Sequence, residues 1–302
     1  MRQTQLSQLY ACSVAMVLLC SAPSYAESID GLFPSVEMPA VASASREAVL
    51  EELKKADVVY LGETHTRDGD REAQLRIIQH LHRHNGKVAI AMEMFQRPYQ
   101  SAIDAYLRGE LSEEQLIEQT EYEQRWGFSW ESYAPILRYA REHQLPVLAL
   151  NTPTEVTRKV AREGLASLTP EERQHIPPVE EIRTDNADYR EMVLAVYRQH
   201  MQGGHGSSAN FENFFLAQVL WDETMAETIA RFAIENPDYQ VVAIAGQGHI
   251  LYGYGIPSRV ERRLNGQSGS RPFVQRSLLL SAPEEMRSTQ DKPIADFVWQ
   301  LD

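Results

Sequence analysis

Four short runs rich in apolar residues are each followed directly by polar residues. The runs lie at positions 57–61, 88–92, 146–150 and 241–245, and stretches with the apolar spacing of helices separate them. Runs of this length between helical stretches are typical of buried parallel strands. The pattern therefore predicts an α/β protein with a mainly parallel sheet that is flanked by helices.

The helical stretches between these strands are longer than a simple crossover requires. Nearly the whole of 153–210 is helical in pattern, and residues 96–143 are helical, polar and aromatic. One crossover helix spans a much shorter stretch. We therefore expect one domain over 45–302 with helical insertions at about 96–143 and 153–210, which form a helical second subdomain. Two late apolar runs, 278–280 and 297–299, predict strands at one edge of the sheet.

The first 26 residues have the pattern of a secretory signal peptide. Arg2 supplies a positive start, residues 9–19 are mostly apolar, and the small residue Ala26 precedes a cleavage point. The apolar stretch is far shorter than the roughly 20 residues that span a membrane. We therefore expect export to the periplasm, with residues 1–26 removed and 27–44 as a lead-in segment.

Cysteine usage and charge narrow the function further. Cys12 and Cys20 both lie within the predicted signal, so the mature chain has no thiol for catalysis or metal binding. Leu19 precedes Cys20, where a lipoprotein signal has a small residue, so an outer-membrane lipoprotein is the less favoured alternative. The formal net charge of −13 argues against nucleic acid as a partner.

Two of the predicted strands end in the same pattern, Gly-x-x-His. Gly62 to His65 follows the first strand and Gly246 to His249 follows the last, while Glu63 and Glu93 also stand at strand ends. Ligands of open α/β sheets bind outside the carboxyl ends of the strands. Histidine with glutamate suits a divalent metal or a general base. Alternatively, Glu63 and His249 only hydrogen-bond loop amides.

Tyrosines beside the second motif are candidates for binding ferric iron. Tyr252 and Tyr254 are flanked by glycines, and Tyr is a known axial haem ligand. Arg259 is a nearby cation that favours the phenolate form. The structural alternative is that one tyrosine packs against a helix over 257–264.

A glycine-rich loop supplies a further set of candidate haem ligands. His200, Met201 and His205 lie in or next to it, and imidazole and thioether both ligate haem iron. A surface loop with incidental histidines is the competing interpretation.

The predicted helix over 210–235 carries polar residues on one face. Spacings of four and three place Gln218, Asp222 and Met225 together. Gln218 and Asp222 either brace a strand-end histidine or lie on a solvated face with Met225 in the core.

Several separate motifs, in order along the chain, resemble the ChaN family of haem-binding uptake proteins. The wider superfamily also holds Tiki proteases, TraB proteins and erythromycin esterases. The motifs are Val-Val-Tyr-Leu-Gly-Glu-Thr-His at 58–65, Ala-Met-Glu-Met-Phe-Gln-Arg at 91–97, Trp-Glu-Ser-Tyr-Ala-Pro at 130–135, Ala-Gln-Val-Leu-Trp-Asp-Glu-Thr-Met-Ala at 217–226, Gly-Gln-Gly-His-Ile at 246–250 and Tyr-Gly-Ile-Pro at 254–257.

This resemblance implies a parallel α/β core with a helical subdomain, and haem held between two subunits with tyrosine as the iron ligand. Within the wider superfamily, the matching positions His65, His249, Glu63 and Glu93 are metal or catalytic residues. We therefore expect a periplasmic haem-binding protein that aids haem-iron uptake as a homodimer, with an outer-membrane haem receptor system as a further partner. The alternative function is a metal-dependent hydrolase that uses the same four residues.

Overall fold

A computed structural model of the protein describes residues 45–202, 210–265, 272–280 and 293–299. The predicted signal peptide, the lead-in segment and His205 therefore lie outside the described residues. None of the described helices is long and apolar enough to cross a membrane.

Six strands of the described chain form one sheet, and every pair of neighbours runs parallel. The strands are β1 (Val58–Glu63), β2 (Val88–Gln96), β3 (Val147–Asn151), β4 (Gln240–Gly246), β5 (Gln275–Leu280) and β6 (Phe297–Trp299). Their order across the sheet is β3-β2-β4-β1-β5-β6. The predicted α/β class is thus confirmed, and the two late strands lie at one edge.

Helices fill the connections between the strands. They are α1 (Arg46–Leu53), α2 (Asp68–Asn85), α3 (Gln100–Leu107), α4 (Glu113–Gln119), α5 (Tyr122–Arg125), α6 (Trp130–Glu142), α7 (Thr154–Glu163), α8 (Pro170–Arg173), α9 (Ala187–Gln202), α10 (Phe211–Glu235) and α11 (Ile256–Leu264). Short 3-10 turns occupy Arg97–Tyr99, Leu165–Ser167, Val179–Glu181, Gln247–His249 and Leu251–Gly253.

Local sequence signals set several helix ends. The side chains of Ser112 and Thr169 each accept a hydrogen bond from the third helical N–H. In return, the side chain of Gln115 or Glu172 accepts one from the backbone N–H of Ser112 or Thr169, which forms a capping box. Gly86 ends α2 with φ of 72°, a left-handed conformation that costs glycine little. These residues end helices because they satisfy backbone groups that the helix itself leaves unpaired.

Alternate residues of the strands face two separate cores. Val59 and Leu61 of β1 pack with α2, α3 and α6 on one face, whereas Val58 and Tyr60 pack with α10 and α11 on the other. Helix α7 packs instead against α10, in a smaller core that also contains Leu168 and Ile176 from either side of α8. The helices of the first predicted insertion thus share the sheet core, while α7 packs on α10.

The register of β1 against β4 fixes the two Gly-x-x-His motifs side by side. Glu63 pairs with Gly246 across these neighbouring strands. The backbones approach closely here, since a Cβ on Gly62 would lie 3.3 Å from the Cα of Gln247 and 2.6 Å from Cδ2 of Leu279. Glycine at position 62 therefore permits the close packing that brings both motifs to one edge of the sheet.

Candidate functional site

The carboxylate of Glu63 is the centre of the first polar group at the strand ends. Its Oε1 lies 2.6 Å from Nδ1 of His65 and accepts a hydrogen bond from the Tyr133 hydroxyl, while Gln74 donates to Oε2 at 2.6 Å. Burial raises the pKa of Glu63, but the hydrogen bond and charge of His65 outweigh burial, so its pKa is lowered. The carboxylate is therefore held ionised inside the protein.

A second polar group surrounds the imidazole of His249. Its Nδ1 lies 2.7 Å from Oδ1 of Asp222 and 3.2 Å from the amide of Gln218, and its Nε2 lies 3.5 Å from Glu93. The backbone N–H of Gly246 donates to Oε2 of Glu93 at 2.7 Å. Carboxylates thus face both ring nitrogens of this histidine.

The two groups meet at Glu93. Burial would raise the pKa of this carboxyl, but the charge and hydrogen bond of His249, the charge of His65 and the N–H of Gly246 lower it to about 2. Both histidines therefore lie within electrostatic reach of one carboxylate. This brings the four strand-end residues of the sequence prediction into one buried cluster.

The same packing limits the chemistry of the cluster. His65 and His249 are each 1% exposed, Glu63 is 0% exposed and Glu93 is 4% exposed. Across the described residues, no three or more His, Cys, Asp or Glu side chains form a group that could hold a metal ion. The divalent-metal prediction therefore gains no support from this geometry.

The alternative in which Glu63 holds loop amides does not describe the contacts observed for that residue. Glu63 accepts hydrogen bonds from side chains, and it is Glu93 that binds a backbone N–H at a strand end. The solvated-face interpretation of α10 is also wrong. Asp222 is 0% exposed and Gln218 is 9% exposed, because this face of α10 packs over the strand ends and contacts His249.

The predicted iron ligands lie in the tyrosine turn, residues 249–255, which follows β4. Tyr252 is half-buried and has φ of 56°, which is uncommon and strained for a bulky side chain. Tyr254 is buried, its ring centroid lies 5.4 Å from that of Tyr252, and its hydroxyl contacts Asp188 at 3.4 Å. Burial, and then the charge of Asp188, raises the pKa of Tyr254. The two tyrosines are therefore not equivalent.

Arg259 is engaged with the protein. The side chain is buried, donates to the carbonyl oxygens of Tyr254 and Gly255, and lies 3.3 Å from the carboxylate of Glu223. Its guanidinium also lies 5.1 Å from the ring centroid of Tyr189. Arg259 therefore stabilises the backbone of the tyrosine turn at Tyr254 and Gly255.

The glycine-rich loop is described only in part. His200 and Met201 fall in the last turn of α9, where Met201 is 50% exposed. His205 lies outside the described residues. Of these three residues, only Met201 has a side chain that the structure describes.

Two contacts of the site were missed by the sequence reasoning. Gln74 donates to Glu63 from the next helix, 11 residues further along the chain, and Tyr133 donates to it from α6, 70 residues away. Tyr133 lies in the aromatic stretch that begins at Trp126, and Gln74 lies on the buried face of α2. The aromatic stretch and the buried helix face can be recognised in the sequence. Neither pattern shows that Tyr133 and Gln74 reach Glu63.

Residues 49–260 match the family described as haem-binding uptake, Tiki superfamily, ChaN. The chain belongs to the ChaN family. A solved structure with the ChaN fold, described as cofacial haem binding to ChaN of Campylobacter jejuni, superposes with a TM-score of 0.62. It is 17% identical in sequence and covers 81% of this chain and 89% of the other.

Two other similar proteins do not carry the ChaN name. Protein RETICULATA-RELATED 5, chloroplastic, of Arabidopsis thaliana is 27% identical over an alignment of 280 residues. The alignment covers 86% of this chain. The matched part is only 36% of that plant protein's length. An erythromycin esterase, EreC, in its open conformation gives a TM-score of 0.45 at 15% identity, over 78% of this chain and 72% of the other.

A half-buried apolar face adjoins the tyrosine turn of this ChaN-family chain. Tyr252, Met192, Val196, Tyr197 and Phe211 all pack, only partly covered, against the buried cluster that contains Tyr254 and Tyr189. Met192 and Tyr252 also pack against the core beneath the sheet. We refer to these five side chains as the apolar face.

Proposed function

We propose that this protein binds haem at the apolar face, with the phenol oxygen of Tyr252 as the iron ligand. The observation that carries the proposal is the half-buried ring of Tyr252, held on a left-handed backbone within the apolar face. Membership of a family described as haem-binding uptake supports it. A porphyrin needs both an apolar surface and a ligand at its centre, and this surface offers both.

The chemistry of a tyrosine hydroxyl suits the ferric iron of haem. A free phenol has a pKa of about 10, and coordination to a ferric ion favours its ionised form. Tyr254 is the weaker candidate because burial raises its pKa and its hydroxyl contacts Asp188. If haem is bound here, the Tyr252 hydroxyl would supply an oxygen ligand for its ferric iron.

We further propose that two copies of the chain bind haem together and act in haem-iron uptake. The apolar face of one copy leaves its five side chains only partly covered. The ChaN structure of Campylobacter jejuni is described by cofacial haem binding, and a cofacial pair needs two such faces. A second copy would cover the surface that a single chain leaves exposed.

Replacement of Tyr252 with phenylalanine is expected to abolish the tyrosinate-type ferric spectrum of the haemin complex. The change deletes only the ligand oxygen and keeps the ring that packs in the apolar face. Binding should weaken by roughly tenfold or more, the effect of losing about 1.4 kcal/mol or more of interaction. Haemin titration followed by absorption spectroscopy and gel filtration measures the ligand, the affinity and dimer formation together.

Two matched variants interpret that result. Tyr239→Phe changes a half-buried tyrosine just before the start of β4, whereas the tyrosine turn follows the end of that strand. This variant should bind haemin like the unmodified protein. Tyr254→Phe should keep the tyrosinate spectrum. If Tyr252→Phe retains both spectrum and affinity, Tyr252 is not the ligand, and the His200, Met201 and His205 segment becomes the candidate.

We propose a periplasmic location, with a haem receptor of the outer membrane as the source of the ligand. Protein expressed from the full-length chain should then yield a mature form that begins near Glu27 and stays soluble without detergent. Intact-mass spectrometry of fractionated cells measures both properties. A diacylglyceryl adduct on Cys20 would instead make the protein a membrane-anchored lipoprotein.

A further inference from the structure

Unpartnered polar side chains are buried next to Glu63, away from the tyrosine turn. Arg71 is 5% exposed, Tyr122 is 1% exposed and Trp126 is 4% exposed. Within the described part of the chain, Nε of Arg71, the hydroxyl of Tyr122 and Nε1 of Trp126 have no hydrogen-bond partner. Buried donors are nearly always paired, so three in one place require an explanation.

Two of the three residues contact one aromatic ring, and the third lies within electrostatic reach of the same groups. The guanidinium of Arg71 lies 5.1 Å from the ring centroid of Tyr133, and the Trp126 ring lies 6.2 Å from the same ring. Burial raises the pKa of Tyr122, the nearby charge of Glu63 raises it further, and Arg71 opposes both. Burial also raises the pKa of Tyr133, as does the charge of Glu63, and Arg71 again opposes them. We call Arg71, Tyr122, Trp126 and Tyr133 the donor cluster.

Arg71 has more donor atoms without a hydrogen-bond partner than any other member of the donor cluster in the described part of the chain. Its ion-pair partner is Asp68, at 3.6 Å from Nη1, and the Asp68 side chain is 94% exposed. Neither Nε nor Nη1 donates a hydrogen bond to the described protein. A buried guanidinium loses its hydration, and this cost is offset only when acceptors fill its donor positions.

The buried guanidinium of Arg71 is the local feature that favours a negative ligand. It lies in the first turns of α2, a helix of 18 residues. Asp68 and Asp70 share the first turn of that helix and already complement the positive end of its dipole. Trp126 and Phe128 add aromatic surface, since both rings also contact His65, at centroid distances of 4.8 Å and 5.1 Å.

We propose that the donor cluster is a binding site for a small monocarboxylate, separate from the haem site. Carboxylate oxygens accept paired hydrogen bonds from a guanidinium, and the N–H of Trp126 and the hydroxyl of Tyr122 supply further donors. A singly charged ligand is favoured over phosphate because Glu63 lies at the donor cluster, where its carboxylate accepts a hydrogen bond from the Tyr133 hydroxyl. A second negative charge on the ligand would be repelled by that carboxylate.

Calorimetric titration of the haem-free protein with acetate, benzoate and inorganic phosphate, at constant ionic strength, tests the site. Acetate or benzoate should bind, and phosphate should bind at least tenfold more weakly. Arg71→Met should weaken carboxylate binding by roughly ten- to a hundredfold, the value of a charged hydrogen bond. The matched control is Arg76→Gln on the same helix, where Arg76 pairs with exposed Glu72; it should change nothing.

A conservative variant protects the test against misfolding. Tyr122→Phe keeps the ring and deletes a hydroxyl that has no hydrogen-bond partner among the described residues, so thermal stability without ligand should not fall. This variant should still bind the carboxylate more weakly. Binding that survives both Arg71→Met and Tyr122→Phe unchanged would overturn the proposal, as would the absence of carboxylate binding to the unmodified protein. Phosphate binding as tight as acetate would overturn the monocarboxylate assignment.

Discussion

Replacing Gly255 with alanine is expected to destabilise the protein by about 3 kcal/mol, the upper part of the range for overpacking a core. A Cβ at this position would lie 2.3 Å from the carbonyl oxygen of His249 and 2.9 Å from its carbonyl carbon. It would also lie 3.1 Å from Oδ1 of Asp222. Backbone atoms cannot rotate away as the end of a side chain can, so the tyrosine turn itself must move. Urea unfolding followed by circular dichroism measures the loss.

A glycine seven residues earlier is the matched control. A Cβ on Gly248 would meet no atom within 4 Å, so Gly248→Ala should leave stability within about 0.5 kcal/mol of the unmodified protein. The contrast isolates the contact at the tyrosine turn from the general effect of losing a glycine. Equal midpoints for the two variants would show that His249 and Gly255 do not approach as described.

Replacing Glu93 with glutamine is expected to cost about 3 kcal/mol at pH 7, as for removal of one member of a buried ion pair. The change removes the carboxylate that faces His249 at 3.5 Å and keeps an oxygen for the N–H of Gly246. The exposed carboxylate Glu72, which pairs with Arg76, is the matched control. Glu72→Gln should change stability by less than about 0.5 kcal/mol.

The effect of Glu93 should depend on pH in a defined direction. The folded protein lowers the pKa of this carboxyl from 4.5 to about 2, so ionised Glu93 stabilises the fold above pH 4.5. That contribution declines as the pH falls from 4.5 towards 2. Urea midpoints at pH 7, 5 and 3 should therefore converge for the unmodified protein and Glu93→Gln. A gap that stays constant down to pH 3 would contradict the lowered pKa.

The sequence predicted the sheet well because buried parallel strands are recognisable from short apolar runs alone. Val58–Glu63 and Gln240–Gly246 occur where the first and last runs indicated, and even the brief strand Phe297–Trp299 was expected at a sheet edge. Strand order was not predictable. Nothing in the runs shows that β4 lies between β2 and β1, since that choice depends on packing across the whole sheet.

Site residues were predictable in position but not in environment. The strand ends identified Glu63, His65, Glu93 and His249, which do gather, yet their near-complete burial depends on helices that cover them from distant parts of the chain. Tyr252 and Tyr254 have the same glycine-flanked pattern in sequence. Tyr252 is half-buried and Tyr254 is buried, and the sequence does not show that Tyr189 and Asp188 of α9 contact Tyr254.

The order of strands has a consequence for how the protein folds. Val58 of β1 pairs with Val241 on one side and Gln275 on the other, so the middle of the sheet closes only between opposite ends of the chain. Such high contact order slows folding, since a long loop loses its entropy before the pairing compensates. A chain still being synthesised cannot place His65 beside His249 until β4 has emerged. The strand-end cluster and the tyrosine turn therefore form only after β4 has emerged, and products truncated before β4 would carry neither.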